Sequence, residues 1–116
     1  MVEVGKRTLR EEDHSRLASE QVLASAYLSD RRIKEAIKMF EHVVEVDKRT
    51  LREEDDSRLA SEHSLARAYL SDRRIEEAIE MLEHVVEIKK GLFAEDNPDR
   101  LISKDLLEEA YSRMRE

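Results

Sequence analysis

Histidines and carboxylates are the residues of this chain with the widest chemical reach. His42 and His84 each stand three positions before a glutamate, Glu45 and Glu87. On a helix that spacing brings imidazole and carboxylate to one face, and such sets bind transition metals. Each pair supplies only two ligands, however, and there is no His-Glu-x-x-His run and no cysteine. The plainer reading is a pair of partly exposed helical histidines, and no metal site is expected. Gly5-Lys6 lacks the upstream glycine and the following Ser or Thr of a phosphate loop. The serines have no nucleophile-elbow context, and no two carboxylates are marked for acid–base work. Neither a catalytic residue nor a cofactor is expected. His63 is the exception to watch, because an imidazole changes charge near neutral pH.

What must position these groups is a repeat. Leu23, Leu65 and Leu107 are 42 residues apart, as are Tyr27, Tyr69 and Tyr111, and Lys6, Lys48 and Lys90. The text from Ser15 to Asp47 returns, little changed, from Ser57 to Lys89, and Arg100-Leu101 opens a third, shorter copy. A fixed period of this size marks a stacked-repeat architecture. Bulk properties agree. With two Gly, one Pro and 42% charged residues, the chain resembles helix-rich proteins and lacks the turn residues of a sandwich. A net charge of −7 argues against nucleic acid as a partner. No apolar run is long enough to span a membrane. The amino terminus lacks the apolar core of a secretion signal. The missing cysteines suit a reducing compartment, so a cytoplasmic location is expected.

Each copy divides into two helices. Asp13, Asp55 and Asn97 are good N-caps, and Pro98 is favoured just inside a helix start. An A helix is therefore expected to begin near residues 14, 56 and 98 and to end around Ser29-Asp30 and Ser71-Asp72. Ile33, Ala36, Ile37, Phe40, Val43 and Val44 form the stripe of a B helix that reaches Leu51, echoed by Ile75, Ala78, Ile79, Leu82, Val85 and Val86. Gly91 is expected to weaken or bend the end of the second B helix. The single domain then comprises the tail of a B helix (1–12), repeat 1 (13–54), repeat 2 (55–96) and a terminal A helix (97–116). The opening text repeats Val44–Asp55, so the chain reads as beginning inside a repeat.

The set Leu65, Ala66, Tyr69, Ala78, Leu82 and Val85, with its copy Leu23, Ala24, Tyr27, Ala36, Phe40 and Val43, resembles the tetratricopeptide repeat. The step of 42 resembles the kinesin-light-chain type, and the wording RLAS…LARAY…EEAIEMLEHVVEI is similar to arrays at the carboxyl end of fungal NOD-like receptors. The resemblance implies an all-α fold: antiparallel helix pairs stacked as a right-handed superhelix, an α-α solenoid with a concave groove lined by the A helices. Two departures stand out. Arg31 and Arg73 occupy the A–B turn where the family usually has Gly, and a left-handed conformation there would cost each about 1 kcal/mol. The usual His-Pro-Asp of the loop survives only as Asn97-Pro98-Asp99.

By the same resemblance, the groove-facing positions are Ala18, Gln21, Ser25, Leu28 and Ser29, then Ala60, His63, Arg67, Leu70 and Ser71, then Ile102, Asp105, Glu109, Ser112 and Arg113. Differences between the two full copies include Gln21/His63 and Ser25/Arg67, which fall on the groove. Lys34/Glu76 and Lys38/Glu80 fall on the B helices, where a solvated face is expected, and Asp47/Lys89 is a further difference. Gln21, Ser25, His63 and Arg67 are the expected determinants of partner choice. Leu28 and Leu70 are the expected apolar contacts. Two functions remain open. One is a module binding a protein or peptide in its groove. The other is an assembly or spacer element associating through its repeat ends as a homo-oligomer. Irregular changes such as Val22/Ser64 speak against an engineered consensus array.

Overall fold

The computed structural model describes residues 14–116, with side chains from Ala18 onward. Five helices follow one another: α1 His14–Ser29, α2 Ile33–Thr50, α3 Asp56–Ser71, α4 Ile75–Leu92 and α5 Pro98–Met114. There is no strand among the described residues. The expected B-helix tail before α1, and the cap Asp13, lie outside them.

The A helices α3 and α5 start where capping chemistry places them. Asp55 Oδ1 accepts from the backbone N–H groups of Ser57 and Arg58 at 2.8 and 3.4 Å, and Asn97 Oδ1 from those of Asp99 and Arg100 at 2.9 and 3.2 Å. Each cap thus satisfies donors that have no carbonyl partner within the first turn. The loops ahead of them are clamped alike. Arg58 Nη1 donates to Leu51 O at 3.1 Å, and Arg100 Nη1 to Phe93 O at 3.0 Å.

The ends of α1 and α3 show why arginine can stand where glycine is usual. Arg31 and Arg73 are left-handed, with φ of 64° and 63°. The N–H of Arg32 reaches back to Tyr27 O at 2.8 Å and that of Arg31 to Leu28 O at 3.1 Å. Arg74 and Arg73 repeat the pattern on Tyr69 and Leu70. This is the Schellman arrangement, which satisfies the last carbonyls of a helix. The second arginine of each pair then secures the turn. Arg32 lies 4.5 Å over the Tyr27 ring and Arg74 4.4 Å over that of Tyr69. Each also grips a glutamate three residues on through two bonds, to Glu35 and to Glu77.

The B helices bury the stripe seen in the sequence. Ala36, Ile37, Phe40, Val43 and Val44 are buried in α2, and Ala78, Leu82, Val85 and Val86 in α4. Glutamates open each B helix and Lys48-Arg49 or Lys89-Lys90 close it, the order favoured by the helix dipole. α2 stops at Thr50, one residue short of the expected Leu51, which is extended. Gly91 does not shorten α4: both B helices have 18 residues.

Each helix packs on the next along the chain. In addition α1 touches α3 and α3 touches α5, whereas α2 and α4 do not touch. An inner layer that is closed and an outer layer that is splayed give a curve with the A helices on its hollow side. One core runs through both layers, from Ala24 and Phe40 through Leu65 and Leu82 to Leu107 and Ala110. The body is elongated, 55 × 33 × 20 Å, as an open stack of helix pairs should be.

Candidate functional site: the hollow side of the A helices

Two cavities open between successive A helices, and they are equivalent positions one repeat apart. The first, about 290 Å³, is lined by Ala18, Gln21 and Val22 of α1, Val43 and Asp47 of α2, and Ser57, Ala60 and Ser61 of α3. The second, about 230 Å³, is lined by Asp56, Leu59, Ala60, His63 and Ser64 of α3, Lys89 of α4, and Asp99 and Ile102 of α5. Gln21 and His63, expected from the sequence, therefore share a role. Each is half-buried and faces a serine of the following A helix.

In the first junction Ser61 Oγ lies 2.9 Å from Gln21 Oε1 and 3.0 Å from Ser57 O. In the second, His63 Nδ1 lies 3.1 Å from Ser103 Oγ, which also receives Lys89 Nζ at 2.8 Å. Lys89 Nζ donates in addition to Asp99 O at 3.1 Å. An ammonium only donates, so Ser103 Oγ accepts from Lys89 Nζ. A hydroxyl oxygen has a second lone pair, so Ser103 can meet either tautomer of His63. Burial, helped by the nearby charges of Lys89 and Arg67, pushes the His63 pKa down to about 4. The expected change of charge near neutral pH is thus corrected: burial beside a cation moves the titration into acid. Lys89 is itself only 6% exposed, and burial lowers its pKa as well.

The other expected groove residues are placed unevenly. Ser29, Arg67 and Ser71 are exposed and Ser25 half-buried on the same side. Leu28 is partly buried against the core. Leu70 is 3% exposed and belongs to the core, so it offers a partner almost no surface; its burial is a packing role. In the third copy Asp105 and Glu109 are exposed, and Glu109 is tied to Arg113 at 2.6 Å while Arg113 Nη1 donates to Leu70 O at 3.2 Å. Sequence reasoning places Asp47 and Lys89 among the differences between copies but not in the hollow. Both are buried there, because their B helix points them between two A helices. Ser61 and Ser103 escape it altogether; their trace in the sequence is that Ser19, Ser61 and Ser103 keep the step of 42.

The histidines of the B helices lie near glutamates of other elements. His42 Nε2 lies 3.5 Å from Glu20 Oε1 and His84 Nε2 3.5 Å from Glu53 Oε2. No group of three metal-ligating side chains comes together among the described residues. No helix there is long and apolar enough to cross a membrane.

The repeated helix pairs and the hollow they form define a helical-repeat protein. A family model described as tetratricopeptide repeat matches residues 13–91, and the chain belongs to that family. It is similar to a solved Podosopora anserina kinesin-light-chain-like array of nearly identical TPR-like repeats, at 44% identity and a TM-score of 0.89, over 97% of this chain and 53% of that one. A point-substituted form of that array matches with the same values. The chain thus spans about half the length of these solved arrays. No curated protein matches.

Proposed function

We propose that this chain is a non-catalytic interaction module that takes a protein or peptide segment along the hollow side of α1, α3 and α5. Repeats of this family generally mediate protein–protein interaction. Gln21, Ser25 and Ser29 supply the first contacts, His63, Arg67 and Ser71 the middle ones, and Asp105 and Glu109 the last. The observation that carries the reading is the pair of junction cavities. They share one frame, yet one is built around buried Asp47 and the other around buried Lys89. Charge complementarity along a bound segment would use such an inversion. The wording shared with fungal receptor arrays extends the proposal to a sensing or scaffold part of a larger cytoplasmic NOD-like receptor.

Gln21→Ala combined with Arg67→Ala is expected to abolish partner capture in a pull-down while the thermal unfolding transition stays in place. Unchanged capture by a folded double variant would remove the groove from the mechanism. The alternative, association through the repeat ends, draws on Val22, 71% exposed on α1, and on Ile102 and Met114, exposed on α5. Against it, Glu108 and Ser112 replace the buried Ala66 and Leu70 of α3 and are exposed, which makes that face of α5 a poor seat for another helix. Sedimentation over a wide concentration range decides: a concentration-dependent dimer supports assembly, a constant monomer the groove.

A further inference from the structure

A larger cavity than either junction lies elsewhere. It measures about 410 Å³ and is walled by α2, the loop after it, α3 and α4. Its α3 side is the strip Arg58, Glu62 and Tyr69, spaced by four and seven. The groove strip Ala60, His63, Arg67 and Ser71 is a different face of the same helix. The lining includes four carboxylates, Glu53, Glu62, Glu77 and Glu80, against the two fixed cations Lys48 and Arg58, with His84 beside them. Glu77 is already held by Arg74. Arg58 is divided between Glu62 Oε2 at 3.1 Å and Leu51 O. The space is therefore acidic.

An acidic surface alone means little, but Glu62 adds a specific defect. It is 1% exposed, and its Oε1 has no hydrogen-bond partner. A buried carboxylate oxygen without a donor is destabilising, and a ligand donor removes that penalty. The two copies show that the vacancy belongs to the second repeat. In the first, Glu20 at the corresponding place lies against His42; in the second, His84 turns to Glu53. In addition, Lys38 of the first copy becomes Glu80, which is exposed and lines the cavity.

We infer that this outer cavity receives the guanidinium of an arginine side chain from a partner protein, with Glu62 Oε1 as buried acceptor and Glu80 as second carboxylate. Guanidinium suits it because its donors form a planar fork that serves two carboxylate oxygens at once and is weakly hydrated, so it enters a buried site at lower cost than an ammonium. The site is independent of the hollow groove, so a partner would be held on both faces of the same repeat.

Nuclear magnetic resonance of the full chain tests this with acetyl-Gly-Gly-Arg-Gly-Gly-amide as probe, against the same peptides carrying citrulline or lysine. The arginine peptide is expected to shift the amides of Glu62, Glu80, Met81 and His84, and the citrulline peptide to leave them unmoved. Glu80→Lys restores the residue of the first copy at an exposed position, so the fold is kept, and is expected to weaken binding about fivefold. Glu62→Gln is expected to remove it. The Gln21→Ala, Arg67→Ala variant is expected to bind the probe normally, which separates this site from the groove. An equal response to citrulline or lysine, unchanged binding by Glu80→Lys, or shifts confined to His63 and Arg67 would each overturn the assignment.

Discussion

The two junctions between A helices share a frame and differ in charge. In both, a serine of the following helix meets a side chain of the preceding one, and a buried B-helix residue closes the space behind. At the first junction these are Ser61, Gln21 and Asp47; at the second, Ser103, His63 and Lys89. The apolar residues around them scarcely change: Phe40 becomes Leu82, and Val43 and Val44 become Val85 and Val86. The comparison teaches that stacking is held by the repeated core, which leaves the polar residues of each junction free to vary.

The hardest test of that shared frame is to damage its core on one side only. Phe40→Ala is expected to cost about 3–5 kcal/mol and Leu82→Ala about 2–5 kcal/mol, each position being fully buried. Because one core joins both junctions, urea unfolding of either variant should remain a single transition. A biphasic curve would mean that the junctions stand separately.

The next test concerns the ties between repeats. Tyr69 donates its hydroxyl to Glu41 Oε2 at 2.8 Å, and Tyr111 repeats the bond to Glu83. Tyr69→Phe should cost about 1.5–3 kcal/mol, the range for hydrogen bonds to charged groups. Tyr111→Phe should cost less, since Tyr111 is 37% exposed and water replaces the lost partner. Equal losses in denaturant titrations would contradict the packing difference between the two ends.

The polar difference itself is sharpened by pH. His63 has its pKa lowered to about 4 in the folded chain, against about 6.5 unfolded. Between those values the unfolded chain binds more protons, so stability rises with pH there. The contribution is complete above about 6.5 and is lost as pH falls through about 4. His63→Gln, which installs the residue of the first junction, should flatten that part of the profile. Nuclear magnetic resonance titration of wild type should place the His63 midpoint near 4; a midpoint at or above the unperturbed imidazole value would contradict the Lys89–Ser103–His63 chain.

The smallest expected effect is a gain. Arg31→Gly and Arg73→Gly should each stabilise by about 1 kcal/mol, since glycine accepts a left-handed backbone that costs an arginine more. The two turns are alike in φ, so the gains should match within error in thermal unfolding. Loss of the stacked Arg74 instead, by Arg74→Ala, should be destabilising at a site where Arg73→Gly is not.

The helix pairs were legible because their causes are local. Asp55, Asn97 and Pro98 mark starts by capping chemistry, and the stripe Ile33 to Val44 marks a buried face by periodicity. The left-handed turns were legible as a departure from a family habit, although the Schellman bonds and the stacking of Arg32 and Arg74 on tyrosines were not. The groove positions came from resemblance. Among them Leu70 proved to be core, because α3 is flanked by α2 and α4 and has more of its surface covered than a single helix pair would cover.

By itself the chain of residues determined a period of 42, the succession of helices and the faces the B helices bury, because capping, propensity and apolar spacing act over one or two turns. Tertiary structure alone decided that Asp47 and Lys89 are buried in the hollow, that burial beside Lys89 lowers the pKa of His63, and that Glu62 is left with an unpaired oxygen. Those outcomes depend on side chains that lie from about ten to 40 residues apart in sequence and meet only when neighbouring helices stack.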